Sequence, residues 1–394
     1  MIYFDNAAST PVHEKVIEEM NPYFKEQYGN PSSIHKYGRL ASSAIQNARK
    51  RIASLINAEI NEILITSGGT ESNNTALYGI GHRNKDKHII TSSIEHDAIL
   101  EPCKRLEKEG FQITYLPVDK YGLVNPEDVE REISSDTCLV SIMFANNEVG
   151  TIQPIREIGK ITQEKKIVFH TDAVQAIGKI PIDVKELGID LLSVSSHKIN
   201  GPKGVGALYI RKDVKIDPLI LGGGQENGLR SGTENVASIV GFGTACQLAK
   251  DSMMENQEYF RKLSMKLVTE VLKEVPYTKL NGHPEKRIPN NIHFTFFGVN
   301  GEDLIIKLDE NNIAASTGSA CSVKVQKASH VLRAMGFSHE QITGSLRLTM
   351  GITNTEEEVN ETVQVLKKIV KELRAISPYK EKIQFLDMIE KSMF

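Results

Sequence analysis

Lys198 stands in the stretch SSHKINGPKGVGAL, directly behind Ser195, Ser196 and His197 and ahead of Gly201, Gly204 and Gly206. The apolar runs IDLLSV and VGALYI flank it, which places the lysine at the end of one strand and before the next. A lysine there is either a solvated turn residue or a buried amine with a chemical task, and a desolvated amine is a nucleophile toward carbonyl groups. Asp172 closes the run KIVFHTD, with Gln175 three residues on. A carboxylate behind so apolar a run is costly unless a cation pairs with it or it caps a helix. After EILIT comes SGGTESNN, in which Gly68 and Gly69 let the backbone approach a ligand closely and Thr70 is placed to cap the next helix. Exposed amides at a helix start favour an anion, commonly phosphate. The ordinary alternative is a capping box completed by Glu71, and the spacing of a P-loop is absent. His96, in SSIEHDA, falls at a loop-to-helix junction, and Asn146 and Asn147 follow the run LVSIMF.

These residues share a position as well as a chemistry. Each follows a short apolar, β-branched-rich run, and in open α/β sheets ligands bind at the carboxyl ends of the strands. The runs EILIT, KHIIT, FQITYLPV, TCLVSIMF, KIVFHTD, IDLLSV and GALYI alternate in several places with helix-like segments such as TESNNTALYGIGHR and DAILEPCKRLEKEG, the latter closed by Gly110. The pattern predicts an α/β fold with a mostly parallel seven-stranded sheet between helices. A helical stretch over roughly 234–275 follows, and then NNIHFTFF, GEDLIIKLDE, SLRLTM and TEEEVNETVQVLKKIVKELRAI, which read as a smaller α+β domain. The expected division is a large domain over 12–258 and a small one made of 1–11 and 259–394. The terminal segment YKEKIQFLDMIEKSMF reads as a packed surface helix or a partner-docking tail.

Composition sets the remaining bounds. The 394 residues carry 47 Lys plus Arg against 50 Asp plus Glu, a net charge of -3, which gives no footprint for nucleic acid or a membrane surface. No apolar run approaches the roughly 20 residues of a bilayer span, and MIYFDNAAST lacks the basic and apolar regions of a secretory signal, so a cytoplasmic protein is expected. The four cysteines, Cys103, Cys138, Cys246 and Cys321, are far apart with no C-x-x-C, which disfavours a disulfide framework or a local metal site. Cys138 reads as core. Cys321, in STGSACSVKVQKASH, has small and polar flanks and reads as a reactive thiol or an idle cysteine in a loop.

An anion cup, a carboxylate in need of a cation, a ring that could stack and a strand-end lysine together fit one ligand, pyridoxal 5'-phosphate. Its phosphate would take the helix start, its ring nitrogen Asp172 and its aldehyde Lys198. At this point the chain resembles the cysteine desulfurases of the NifS/IscS type, within the fold-type I pyridoxal-phosphate enzymes of the class-V aminotransferase family. The resemblance runs over nearly the whole length, through YFDNAAST, YGNPSS, SGGTESNN, EHDAIL, NNEVGTIQP, HTDAVQ, SSHKINGPKGVGAL, GGGQENGLRSGTENV and STGSACS to NTEEEV.

The resemblance implies that Lys198 carries the cofactor and that Asp172 pairs with the pyridinium nitrogen. It implies that Gln175 bonds the ring hydroxyl with Asn147 near it, and that His96 stacks on the ring and moves protons. Gly69, Thr70, Ser195 and His197 would hold the phosphate, joined by Thr233 from a neighbouring subunit, so a homodimer with composite sites is implied. Arg347, in SLRLTM, would grip the carboxylate of L-cysteine, with Asn30 lining the same pocket. Cys321 would take the substrate's sulfur as a persulfide and pass it to an acceptor or an iron–sulfur scaffold protein. A selenocysteine lyase or aminotransferase on the same fold, or a non-catalytic sulfur-carrier scaffold, are the alternatives; the last would lack a lysine, aspartate or cysteine that this chain retains. Three departures from the usual pattern stand out: Gly69 in place of alanine, Asn200 in HKING in place of tyrosine, and CSVKVQKASH where CSSG and then PSH are frequent.

Overall fold

The computed structural model describes residues 1–84, 87–317 and 328–381. The seven apolar runs form one sheet: β1 (Ile63–Thr66), β2 (His88–Ser92), β3 (Gln112–Leu116), β4 (Thr137–Ser141), β5 (Val168–Asp172), β6 (Leu191–Ser195) and β7 (Gly206–Ile210). Their order is β1-β7-β6-β5-β4-β2-β3. β7 alone runs against its neighbours β6 and β1, and every other pairing is parallel. β1, β2, β4, β6 and β7 are buried along their whole length, because helices cover both faces of the sheet.

Those helices include α1 (Lys36–Leu55), α2 (Gly69–Gly81), α3 (Asp97–Lys108) and α4 (Ile155–Lys165). Apolar cores lie on either side of the sheet, one around Ile45, Ile65, Val140 and Phe242, the other around Leu77, Ile89, Ile99 and Leu208. Burying an aliphatic side chain of this size contributes about 1.5–3 kcal/mol.

The long helix α5 (Val236–Glu274) spans about 58 Å at 1.5 Å per residue. Its first half, through Met253, packs in the core of the main sheet, whereas Phe260, Leu263, Leu267 and Val271 lie in a second core. That second core is built on the antiparallel strands β8 (Thr278–Leu280), β9 (Asn291–Phe296) and β10 (Ser345–Thr349), in the order β10-β9-β8. It is covered by α6 (Gly301–Glu310) and α7 (Glu356–Ile376), the latter opened by a capping box of Thr355 and Glu358. Ile2 and Phe4 belong to this core, and Ile2–Tyr3 pairs in parallel with Ile313–Ala314. The chain therefore starts in the small core and then crosses to the main sheet, and that crossing builds the site.

Candidate active site

The carboxyl ends of β1, β5 and β6 lie at one edge of the sheet. β1 ends at Thr66 and the chain turns through Gly68, whose φ of 152° is a conformation suited to glycine. The turn makes Gly68 the N-cap of α2. Thr70 was expected to cap this helix and does not: it sits inside the first turn and is exposed, because the chain enters the helix two residues earlier. Glu71 reaches back instead, accepting from the Ser67 N–H at 2.8 Å and from Arg230 at 2.9 and 3.3 Å. Burial raises the Glu71 pKa, but the bonds from Arg230 and Ser67 outweigh it and hold the carboxyl below its ordinary range.

The helix start is open to a ligand for a steric reason. A Cβ on Gly68 would meet only Ser195 Oγ, at 3.9 Å, whereas one on Gly69 would collide with Val174 Cγ2 at 2.7 Å. On the facing strand a Cβ on Gly206 would lie 2.7 Å from Gly68 Cα. Glycines thus let β7, the Gly68 turn and Ser195 approach closely around amides at a helix N-terminus, a cradle suited to a phosphate.

Asp172, buried at the end of β5, accepts from Asn73 Nδ2 at 2.6 Å and from the backbone N–H of Val174 at 3.0 Å. The sequence argument asked for a cation or a helix cap; the partners are a side-chain amide and a turn N–H. Asn73 lies on α2, so the carboxylate is tied to the same helix whose first turn forms the cradle.

Lys198 follows β6 in a single 3-10 turn, and its Nζ donates to the carbonyls of Ala7 at 2.5 Å and Ala8 at 2.8 Å. Gln175 Nε2 donates to the same Ala7 carbonyl at 3.1 Å. Ser9 Oγ lies 3.3 Å from His197 Nδ1, and Thr10 bonds the His197 carbonyl through both its N–H and its hydroxyl. Burial, then the charges of Lys198, Lys203 and Lys179, push His197 down to about 4, so its ring is neutral. Asn200 adopts φ 62° with Nδ2 on the Pro11 carbonyl at 2.9 Å, a left-handed position that asparagine tolerates well.

His96 is the N-cap of α3: its Nδ1 accepts from the Ala98 N–H at 3.0 Å, which leaves the proton on Nε2. On the opposite side Arg347 of β10 is buried. It donates to Asp5 Oδ1 at 2.8 Å and to the Asn147 carbonyl at 3.0 Å. Asn291 Nδ2 holds that carbonyl too, at 3.3 Å.

The structure thus joins Lys198 to Gln175 through Ala7, Asp172 to the glycine cradle through Asn73, and Arg347 to Asn147 directly. Asn30 and Thr233 are exposed, and Asn30 Oδ1 accepts from Ser32 N–H in its own turn. Cys321 lies outside the described residues. Cys103, Cys138 and Cys246 are buried, and burial pushes the Cys103 thiol up to about 12 and raises Cys246 as well, so Cys103 and Cys246 stay protonated at neutral pH. Asp5, Ala7, Asn73 and Lys179 belong to the site, and the sequence argument gave none of them a role. The signal for the first two was YFDNAAST itself, a run of small residues behind an Asp-Asn pair that fits only a backbone in close contact with other parts.

Residues 2–362 match the family described as Aminotransferase class-V. The chain belongs to the class-V aminotransferases. It is 55% identical over 379 residues to "Cysteine desulfurase IscS" of Methanosarcina thermophila, covering 96% of this chain and 94% of that one. It is 45% identical over 388 residues to "Cysteine desulfurase" of Homo sapiens, covering 97% of this chain and 84% of that protein. Among solved structures, a "NIFS-LIKE PROTEIN" aligns with a TM-score of 0.89 at 41% identity, over 94% of this chain and all of the other. "SspA in complex with cysteine" aligns with a TM-score of 0.79 at 38% identity, over 89% of this chain and 99% of the other. As in other class-V aminotransferases, the cofactor to be tested against these residues is pyridoxal phosphate. The donor set fits it: amides at a glycine-opened helix start for a phosphate, a buried carboxylate for a ring nitrogen and a lysine amine, held on the Ala7 and Ala8 carbonyls, for an aldehyde. No helix among the described residues is long and apolar enough to cross a membrane.

Proposed function

We propose that this chain is a pyridoxal phosphate-dependent cysteine desulfurase that converts L-cysteine to L-alanine and passes the sulfur through Cys321. The observation that carries the reading is the Lys198 amine held on the Ala7 and Ala8 carbonyls, with Gln175 on the same Ala7 oxygen and Asp172 three residues before it. Bound pyridoxal phosphate supplies an electron sink for the pair left when the substrate Cα–H bond breaks.

The chain's own residues do the rest. Asp172 keeps a proton on the ring nitrogen, held in place by Asn73 and Val174 N–H. Gln175, whose Nε2 points toward the Ala7 carbonyl, would donate an amide N–H to the ring hydroxyl. Gly69, Thr70, Ser195 and the neutral His197 would hold the phosphate, and His96, with its proton on Nε2, would stack on the ring. The Arg347 guanidinium binds the substrate carboxylate as a fork, a geometry a lysine cannot match. The Lys198 amine accepts the Cα proton and later returns it. The Cys321 thiolate attacks the substrate sulfur: a sulfur–sulfur bond forms, the carbon–sulfur bond breaks, and its electron pair takes a proton at carbon to leave alanine. No outside oxidant or reductant is required, and the terminal sulfur goes to an acceptor or iron–sulfur scaffold protein.

The site is completed by a second copy of the chain, with Thr233 of the partner subunit at the phosphate. What supports a homodimer is apolar surface near Asn30 and ahead of the Thr233 segment: Ile34 is 91% exposed and Leu221 79%. Sedimentation equilibrium is expected to give twice the chain mass. The division at 258/259 falls in α5 between Met253 and Phe260, which pack in different cores. The activity is tested by recording the visible spectrum before and after L-cysteine and assaying alanine in the same sample. A Cys321→Ser variant keeps its colour and loses sulfide release; full turnover in that variant contradicts the covalent role.

A further inference from the structure

Lys179 is a lysine with 7% of its surface exposed, an unusual burial for an ammonium. It lies one turn after Gln175, and its Nζ donates to Gln175 Oε1 at 3.3 Å. Gln175 Nε2 donates in turn to the Ala7 carbonyl at 3.1 Å, on which Lys198 Nζ also sits at 2.5 Å. Four groups therefore form one chain: Lys179, Gln175, Ala7 and Lys198. Lys179 and Lys198 also border one cavity of about 400 Å³, together with Thr10, His13, Asp251 and Glu255.

A carboxamide has a donor end and an acceptor end, and a charged lysine can only donate. The contact with Lys179, together with the Ala7 carbonyl, which can only accept, sets which way the Gln175 amide lies: oxygen toward Lys179, nitrogen toward Ala7 and the cofactor side. We propose that Lys179 is a positioning residue, which locks the Gln175 amide as a donor into the site and lowers the proton affinity of the Lys198 nitrogen through its charge. This rests on the reading that Lys198 carries pyridoxal phosphate. Burial, then the charges of Lys198 and Arg347, bring Lys179 itself down to about 7, so its charge, and its pull on the Lys198 nitrogen, is fullest below that pH, while its N–H donates to Gln175 in either state. The acidic groups bordering the same cavity, Asp251 and Glu255, act in the opposite direction on Lys179, and His13 adds positive charge only when protonated. Both parts of the role push one way, since a donor on the ring hydroxyl and a nearby cation each disfavour a proton on the Lys198 nitrogen.

The test is a pH titration of the visible absorbance of the pyridoxal phosphate-loaded protein, without substrate. Lys179→Met is expected to raise the titration midpoint by about half to one pH unit. Lys179→Arg, which keeps charge and donor, is expected to return it to the wild-type value. Should the methionine variant fail to fold, Lys179→Gln removes the charge with a polar end kept and is expected to shift the midpoint in the same direction. A midpoint unmoved in both neutral variants overturns the proposal, and so does a shift that arginine fails to reverse, which marks a packing defect. A wild-type protein that takes up no colour refutes the parent reading, and this proposal with it, before any variant is compared.

Discussion

Arg347 Nη2 and Asp5 Oδ1 lie 2.8 Å apart, with the arginine side chain 3% exposed and the aspartate 19%. The pair spans from the first residues of the chain to the last strand of the small core. It aims the guanidinium while the Asn147 carbonyl takes Nη1 at 3.0 Å. Asp5→Asn is expected to raise KM for cysteine about tenfold with kcat little changed, because aim is lost while the charge remains. Steady-state kinetics checks this; a fall in kcat at constant KM would place Asp5 in the chemistry itself.

Asp172 keeps its place through two donors, Asn73 Nδ2 and Val174 N–H. Asp172→Asn is isosteric and removes the charge that, on the proposed reading, would hold a proton on the ring nitrogen. We expect kcat to fall about 10²–10³-fold, the usual loss for one preorganised electrostatic group. Cofactor uptake followed by absorbance should continue, which separates chemistry from binding.

Gly206 faces the Val194 carbonyl oxygen and Gly68 Cα at 2.6 and 2.7 Å from where a Cβ would stand. Both neighbours are backbone and cannot swing aside. Gly206→Ala is therefore expected to cost about 2 kcal/mol of stability. It should also weaken pyridoxal phosphate binding, since β7 and the Gly68 turn must separate. Urea denaturation of the apo-protein and a binding titration read the two effects.

The residues most legible in sequence were those at strand ends. All seven runs became strands, and their near-continuous apolarity follows from a sheet covered on both faces. Lys198, Asp172 and Gln175 were visible because a charged or amide group behind such a run needs a reason. The partners of these groups were less visible. Asn73 is an ordinary helical asparagine until the fold brings it 2.6 Å from a residue 99 positions away. Ala7 acts through its carbonyl, a group every residue carries, and Lys179 reads as a surface lysine unless its burial is known. Thr70 failed as a cap because backbone torsion at Gly68, not side-chain type, decided where α2 begins.

Protonation equilibria give the sheet a pH profile. Burial pushes His170 down to about 3, between the Ser141 and Ser193 hydroxyls at 2.8 and 2.9 Å. Burial and then Arg347 bring His293 to about 3, and His197 stands near 4. Each value lies below that of the unfolded chain, so the unfolded state binds protons first as pH falls. Stability from these groups is full above about pH 6.5 and falls, at about 1.4 kcal/mol per pH unit per histidine, down to about pH 4 for His197 and about pH 3 for His170 and His293. Glu95 opposes them: burial raises it to about 8 against the donors Ser92 and Met143 N–H, so its contribution fades as pH rises from 4.5 to 8. The urea midpoint is expected to fall between pH 6.5 and 5. Glu95→Gln should gain stability over wild type at pH 8.5 and not at pH 5; the reverse order would mean that the fold favours the ionised Glu95 carboxylate over the neutral acid.

The central claim is that one particular amine, of two that border one cavity, holds the cofactor. Borohydride reduction of the pyridoxal phosphate-loaded protein, followed by peptide mapping, reads this directly. The account predicts the pyridoxyl group on Lys198 Nζ, on the peptide that contains SSHK. A pyridoxyl group on Lys179, or none on Lys198, would contradict it.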